Sequence, residues 1–110
     1  MLPKSKRLNL KTVFKATAAG KRVETKHLIF YITQNNLNKT LIGIATSKKR
    51  GFNTAVLRNR SRRIVSKIIQ DQYSNLREGL NIVIIPKMGL LNQTQERLTE
   101  EVKSVVNIFN

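Results

Sequence analysis

Five positively charged side chains stand within ten positions of the segment AVLRNRSRRIVSKII, residues 55–69. If the segment is helical, Arg60, Arg63 and Lys67 recur at i, i+3 and i+7 and project in one direction along roughly 10 Å of helix axis. Guanidinium groups bind phosphate oxygens bidentately, and Asn59 adds a donor and an acceptor that can reach a base edge or a 2′-hydroxyl. This spacing predicts a face that binds a polyanion.

The same segment carries an aliphatic stripe that can anchor the helix. From about residue 54 to residue 73 the pattern is helical, and five aliphatic side chains share one arc with Ser61. These side chains are Leu57, Ile64, Val65, Ile68 and Ile69. We expect the stripe to pack on a sheet, which leaves the cationic arc available to a ligand.

A solvated helix face is the alternative interpretation of such a run of charges. Exposed helices usually alternate acids with bases so that i, i+4 pairs form, whereas no acid occurs between Glu24 and Asp71. The chain carries 21 Lys and Arg against 6 Asp and Glu, a formal net charge of +15, and 17 of those cations lie in residues 1–70. Such an excess repels itself unless a polyanion relieves it, which favours nucleic acid as the partner.

Catalysis by the protein's own side chains is a second alternative. The chain has one histidine and six carboxylates, which are not clustered as a two-metal nuclease requires. His27 opens a predicted strand, and no carboxylate or second histidine is evident nearby to orient it, which favours a structural role.

A membrane-bound protein is the third alternative. The apolar side of the basic helix has no Trp or Phe, and no window approaches the roughly 18 apolar residues of a membrane span. The chain has no cysteine, so the fold must rest on packing alone. We therefore expect a soluble, cytoplasmic protein.

The chain opens with a basic lead, residues 1–8, followed by a pattern typical of a short helix. Asn9 can cap this helix and Gly20 ends it. The positions that follow the i, i+3, i+4, i+7 spacing are Leu10, Val13, Phe14 and Thr17. Phe14 belongs either to the core or to a base contact, because a helix lying on a sheet can leave one aromatic side chain at the mouth of a cleft.

Two β-branched segments follow, HLIFYIT at residues 27–33 and LIGIATS at residues 41–47. Both predict strands, and an Asn-rich gap between them suits a hairpin. Phe30 and Tyr31 alternate along the first strand, so one of the two must face the core and the other can stack on a base.

The last third of the chain predicts a strand and a helix. After Gly79, LNIVIIP at residues 80–86 is an apolar run of strand length that we expect to be buried on both faces. Asn92 can cap a final helix that has Gln95 at its third position. Its apolar side comprises Leu98, Val102, Val105, Val106 and Phe109. The order is a helix, two or three strands, a helix, a strand and a helix, with three strands in the order α-β-β-β-α-β-α. It predicts an α/β sandwich, with helices packed on a small mixed sheet, in a single domain over residues 1–110.

The segment SKKRGFNTAVLRNRSRR, residues 47–63, resembles the hallmark of the bacterial ribonuclease P protein family. In that family a Ser-Lys-Lys stretch leaves a strand, and an Arg-Asn-Arg core with further cations follows on one helix. The opening residues 2–22 are similar to the family's basic lead and first helix, and residues 80–86 to its last strand. Two departures are visible: Phe52 and Thr54 interrupt the usual Gly-Asn-Ala-Val run, and Leu10 stands where the first helix commonly has an additional aromatic residue.

The resemblance implies a division of labour in which a large RNA subunit, with bound Mg²⁺, cuts precursor tRNA at the mature 5′ end and the protein assists. It implies that no protein partner is required, that the protein alone is not catalytic, and that the basic helix lies in a left-handed crossover. The side chains implied to bind the RNA subunit are Lys48, Lys49, Arg50, Arg58, Asn59, Arg60, Arg62, Arg63 and Lys67. Those implied to bind the single-stranded 5′ leader are Phe14, Tyr31, Lys11 and Lys15. A small ribosomal or other structural RNA-binding protein remains the alternative, and no position for a protein-bound metal is predicted.

Overall fold

A computed structural model of the chain describes residues 6–8, 20–35, 37–46 and 52–109. This part of the chain has a four-stranded sheet and two long helices, which confirms the expected mixture of strands and helices. The strands are β1 (Lys21–Glu24), β2 (Leu28–Gln34), β3 (Leu41–Ile44) and β4 (Leu80–Pro86). The helices are α1 (Ala55–Gln72) and α2 (Gln95–Phe109), with short 3₁₀ turns at Tyr73–Asn75 and Leu90–Asn92. The helix predicted from Leu10 to Thr17 lies outside the described residues.

The sheet order is β1-β2-β4-β3, so the predicted hairpin between β2 and β3 is wrong. Strand β4 lies between them, antiparallel to β2 and parallel to β3. The physical reason is the apolarity of β4, whose Val83 and Ile84 side chains are both fully buried although they point to opposite faces. A strand with two apolar faces is stabilised at the centre of a sheet, where it pairs on both edges.

The Asn-rich connection between β2 and β3 is held by side-chain hydrogen bonds. The Asn35 amide nitrogen donates to the Lys39 carbonyl at 3.2 Å and to the Asn81 side chain at 2.9 Å, and its Oδ1 accepts from the Leu37 N–H at 2.8 Å. These bonds let the chain pass from β2 to β3 across the end of β4, because Asn81 is the second residue of that strand.

Helix α1 connects the two parallel neighbours β3 and β4, since parallel strands cannot be joined by a tight turn. The helix begins at Thr54, whose Oγ1 accepts from the Leu57 N–H at 3.2 Å, close to the predicted start. Gly79 precedes β4 with a φ of 81°, a conformation that favours glycine. The left-handed sense of this crossover stays a prediction.

One face of the sheet packs under both helices. Phe30, Ile32 and Ile84 contribute to this core from the strands. Helix α1 contributes Val65, Ile68 and Ile69, and helix α2 contributes Leu98, Val102, Val105 and Val106. The aliphatic stripe predicted for α1 therefore packs as expected, and so do four of the five apolar residues predicted for α2. The side chain of the fifth, Phe109, lies outside what the structure describes.

Helix α2 begins two residues later than its sequence cap suggested. The Thr94 Oγ1 accepts from the Arg97 N–H at 3.2 Å, so Thr94 and not Asn92 caps the helix. Asn92 is instead the last residue of a 3₁₀ turn, where its N–H donates to the Gly89 carbonyl at 3.1 Å. A backbone already bonded within that turn cannot also start the helix.

His27 has an orienting carboxylate, contrary to the sequence-based expectation. Its Nδ1 lies 2.7 Å from Glu101 Oε2, and its backbone N–H donates to Glu101 Oε1 at 2.8 Å. Burial tends to raise the pKa of Glu101, but hydrogen bonds from His27 and Thr25 outweigh burial, so this pKa lies below its ordinary value. The pair connects the start of β2 to α2, which supports the structural role predicted for His27. The sequence did not reveal Glu101 as the partner because the two residues are 74 positions apart.

Candidate nucleic-acid interface

Three cations form an exposed row on α1, which we call the cationic stripe: Arg60, Arg63 and Lys67. The helix positions them because the opposite side is anchored, with Val65 and Ile68 each 2 % exposed in the core. Neighbouring members of the row are roughly 4.5 and 6 Å apart along the helix axis, and a nucleic-acid strand carries one phosphate per roughly 3.4 Å of its own axis, so each cation can reach a separate phosphate. The predicted arrangement of these three side chains is therefore present.

No acid neutralises the cationic stripe within the part of the chain that the structure describes. The ion pairs there join Arg22 with Glu24, Lys87 with Glu24, and His27 with Glu101. All of them lie away from α1's exposed face. The stripe thus keeps its full positive charge for a partner, which is the property that an anion-binding face requires.

Two of the predicted RNA-binding arginines are hydrogen-bonded to the scaffold. Arg58 Nη1 donates to the Phe52 carbonyl at 3.1 Å, while Arg62 Nη2 donates to Thr46 Oγ1 at 3.3 Å. Both side chains are only partly exposed. They connect α1 to the segment before it and to the end of β3, so they stabilise the position of the cationic stripe as well as adding charge.

Asn59 is exposed and oriented by its neighbour on the helix. Its Oδ1 accepts from Arg62 Nη1 at 3.2 Å, so the acceptor of this amide is engaged and its NH₂ group points elsewhere. The NH₂ group of Asn59 is therefore compatible with a partner, and its Oδ1 has a second lone pair that can still accept a hydrogen bond.

Phe52 and Thr54, the two residues that depart from the family pattern, have structural roles. Phe52 is 3 % exposed and belongs to the hydrophobic core, and Thr54 caps α1. The longer entry to α1 is thus anchored at both of its additional residues. Sequence reasoning missed this anchor, although an aromatic residue within a basic segment is the signal that could have indicated it.

Several predicted site residues lie outside the described residues. On the RNA-subunit side these are Lys48, Lys49 and Arg50, and on the leader side they are Phe14, Lys11 and Lys15. Their roles stay predictions.

Tyr31 lies on the face of the sheet opposite the two helices. In register it stands between Arg22 of β1 and Val83 of β4, whereas the adjacent Phe30 is 2 % exposed in the core. The Tyr31 ring is partly exposed, and its hydroxyl oxygen accepts from Arg22 Nε at 3.3 Å. Of the two aromatic residues on β2, Tyr31 is thus the one that a ligand can reach.

A charged network surrounds Tyr31, and we call it the Tyr31 surface: Arg22, Glu24, Tyr31 and Lys87. Glu24 accepts from Arg22 Nη2 at 2.6 Å and from Lys87 Nζ at 2.5 Å. Hydrogen bonds from Lys87 and Arg22 hold the pKa of Glu24 below its ordinary value, and the hydrogen bonds that Arg22 donates to Tyr31 and Glu24 raise the pKa of Arg22. Sequence reasoning missed this network because it did not identify β1, the strand that brings Arg22 and Glu24 beside Tyr31.

The described residues include no group of three or more His, Asp or Glu side chains that could hold a metal ion. Among the helices in the described ranges, none is long and apolar enough to cross a membrane.

The fold and the two polar surfaces define a small basic α+β protein with an exposed cationic helix. Known structures have the same fold. The ribonuclease P protein of Thermotoga maritima superposes with a TM-score of 0.84 at 21% identity, covering 94% of this chain and 97% of that one. The Staphylococcus aureus ribonuclease P protein superposes with a TM-score of 0.80 at 24% identity, covering 97% of this chain and 100% of that one.

Sequence comparisons agree with the structural ones. The ribonuclease P protein component of a Pseudanabaena species is 32% identical over 108 residues, which are 96% of this chain and 92% of the relative. That of Syntrophomonas wolfei is 29% identical over 82 residues, 74% of this chain and 67% of the relative. The profile of the family described as Ribonuclease P matches residues 2–110, and the chain belongs to this family. As a ribonuclease P protein component it is an RNA-binding subunit in the maturation of tRNA 5′ ends.

Proposed function

We propose that this protein binds the catalytic RNA subunit of ribonuclease P through the exposed side of α1 and the 5′ leader of precursor tRNA through the Tyr31 surface. The RNA subunit performs the cleavage, with Mg²⁺ held by RNA phosphates, and the protein acts as its electrostatic cofactor in the cytoplasm. The observation that carries the proposal is the cationic stripe, three exposed cations for which the described part of the chain provides no acid.

The cationic stripe supports binding to a folded RNA through phosphate contacts. Each phosphate that a cation neutralises releases a condensed counterion, and this release drives association at low salt. Arg60 and Arg63 can each engage a phosphate bidentately, while Lys67 acts as a point charge one turn further along α1. Lys48, Lys49 and Arg50, together with Arg58, Asn59 and Arg62, extend this face in the proposal.

The Tyr31 surface supports binding to a single strand. A partly exposed ring offers a π face on which a base of any identity can stack, and such stacking contributes roughly 1–3 kcal/mol per base. Arg22 and Lys87 lie within one hydrogen-bonded network with the Tyr31 hydroxyl and can contact the adjoining phosphates. In the proposal Phe14, Lys11 and Lys15 complete this leader site.

The protein's contribution to the reaction is then one of binding and charge. Two RNA molecules repel each other, and a protein with a formal net charge of +15 placed between them lowers that repulsion. Holding the leader beside the RNA subunit also orients the scissile bond without any protein group acting on it. In the proposal Mg²⁺ is bound mainly by the RNA subunit, whose phosphate oxygens are the hard ligands that this ion prefers.

The test is cleavage of precursor tRNA by the RNA subunit at low Mg²⁺, with and without this protein. We expect a large stimulation by the protein, and we expect no cleavage by the protein without the RNA subunit. Absence of stimulation would contradict the proposed function and favour another structural RNA-binding role. Cleavage by the protein alone would contradict the assignment of catalysis to the RNA.

A further inference from the structure

A groove lies beside the cationic stripe, between α1 and the start of α2. Its volume is about 300 Å³, and its lining residues are Arg63, Ile64, Lys67, Gln93 and Gln95. Ligand pockets commonly measure roughly 300–1,000 Å³, so the groove has the size of a single small ligand. It shares Arg63 and Lys67 with the stripe and is therefore continuous with the proposed RNA face.

The lining combines an apolar wall with groups that bind anions and base edges. Ile64 is half-buried and provides the apolar part. Gln93 and Gln95 each carry one amide acceptor and two amide donors, and within the described part of the chain neither side chain has a hydrogen-bond partner. None of the described residues that line the groove is a carboxylate, so its chemistry disfavours cations.

We propose that this groove binds one unstacked nucleotide of the ribonuclease P RNA subunit, a proposal that rests on the proposed function. Its base lies against Ile64, its phosphate lies between Arg63 and Lys67, and the amides of Gln93 and Gln95 hydrogen-bond to the base edge. Unstacked bases in folded RNA are recognised by a contact to the face of the base, commonly an aromatic ring or a guanidinium plane, together with hydrogen bonds to its edge. In this groove Ile64 provides the contact to the face. The groove thereby extends the RNA interface from α1 to the start of α2.

Opposite charge changes at Gln95 test the proposal. Gln95 is exposed at the first residue of α2, where a carboxylate stabilises a helix, so Gln95→Glu should not lower the unfolding temperature. We expect Gln95→Glu to weaken binding of the RNA subunit about fivefold near 0.1 M salt, and Gln95→Lys to tighten it. Asn38→Asp adds the same charge at an exposed position in the β2–β3 connection and should change the affinity less than about twofold.

A directed cleavage experiment locates the groove on the RNA. The chain has no cysteine, so Gln93→Cys carries the only thiol and can be labelled with an iron chelate that generates hydroxyl radicals. In the holoenzyme we expect strand scission confined to one short stretch of the RNA subunit. The same label on Asn38→Cys should leave that stretch intact.

Equal effects of Gln95→Glu and Asn38→Asp, or no localised scission from residue 93, would overturn the groove proposal. The variant Arg60→Ala then separates the two proposals. If it weakens binding of the RNA subunit, only the groove proposal fails and the proposed function stands. If it leaves that binding unchanged, the proposed function fails as well. Binding of free adenosine monophosphate can be measured by calorimetry. If Gln95→Glu abolishes that binding but leaves the affinity for the RNA subunit unchanged, the groove is a site for a free nucleotide and the proposal is overturned.

Discussion

The cationic stripe and the Tyr31 surface carry similar groups in different electrostatic settings. On α1, Arg60, Arg63 and Lys67 are exposed without an acid partner among the described residues. On the opposite side of the sheet, Arg22 and Lys87 share the carboxylate of Glu24, the one acid in the first 70 residues. The first region has unneutralised charge, and the second has charge held in a fixed geometry.

The difference supports the proposal that one small chain binds two RNA ligands. Unneutralised cations release the most counterions and thus give affinity, which suits a partner that stays bound. Compensated cations beside an aromatic ring contribute less to affinity but present oriented donors, which suits discrimination between related substrates. We therefore expect substitutions in the stripe to change the affinity for the RNA subunit, and substitutions in the Tyr31 surface to change the choice of substrate.

The largest effect is expected from the double variant Arg60→Ala/Arg63→Ala. Each lost charge-assisted phosphate contact should cost roughly 1.5 kcal/mol, about tenfold, so the RNA-subunit affinity should fall about 100-fold. The slope of log K against log salt should become shallower by about two units, as titrations at several salt concentrations would show. Arg77→Ala removes an exposed cation elsewhere and is the control. A loss of similar size in Arg77→Ala would abolish the distinction between the stripe and the rest of the surface.

Tyr31→Ala should have the next largest effect. Loss of one stacked base should reduce the preference for precursor over mature tRNA about tenfold, since mature tRNA has no leader to stack. Affinity for the RNA subunit should stay unchanged. Competition between precursor and mature tRNA for the holoenzyme measures the ratio of their affinities. The matched control is Tyr31→Phe, which keeps the aromatic ring. An equal loss of affinity for precursor and mature tRNA would mean that Tyr31 does not contact the leader.

Glu24→Gln should have a smaller effect, and it should strengthen the binding of precursor tRNA instead of weakening it. Removing this carboxylate frees Arg22 and Lys87, so precursor tRNA should bind about two- to threefold more tightly while mature tRNA is unaffected. Equilibrium binding to the holoenzyme measures both affinities. Glu78→Gln removes an exposed acid in the connection before β4 and should change neither. Weaker precursor binding in Glu24→Gln would show that the network's geometry matters more than its charge.

The smallest effect is a dependence of stability on acid pH. The pKa of Glu24 is lowered from about 4.5 by hydrogen bonds from Lys87 and Arg22, so its stabilisation is fully present above about pH 4.5 and is lost as the pH falls through the lowered pKa. Thermal unfolding followed at decreasing pH should show a slightly shallower decline for Glu24→Gln than for the unsubstituted chain. The cationic stripe contains no acid, so Arg60→Ala should follow the unsubstituted curve. Coincident curves for all three proteins would mean that the network contributes nothing to stability.

Much of the fold and half of the site follow from local patterns. Helical periodicity located α1, its buried stripe and its exposed cations, and β-branched runs located β2 and β4. The sequence failed where the decisive contact is distant in the chain. The predicted order allowed for a third strand before α1 but did not locate β1, because KRVE carries only one apolar residue and its pairing with β2 stabilises it. The hairpin was predicted because adjacent strands usually pair, whereas β4 displaced β3 from β2.

The sequence by itself determined the excess of positive charge, the amphipathic character of α1 and the segment that identifies the family, because each is a property of composition or of neighbours three or four residues apart. Only the tertiary structure decided that Phe30 is buried and Tyr31 accessible, that Glu24 compensates two cations, and that Gln93 and Gln95 meet Arg63 and Lys67 in one groove. Those outcomes depend on sheet order and on helix packing, which bring together residues that lie far apart in the chain.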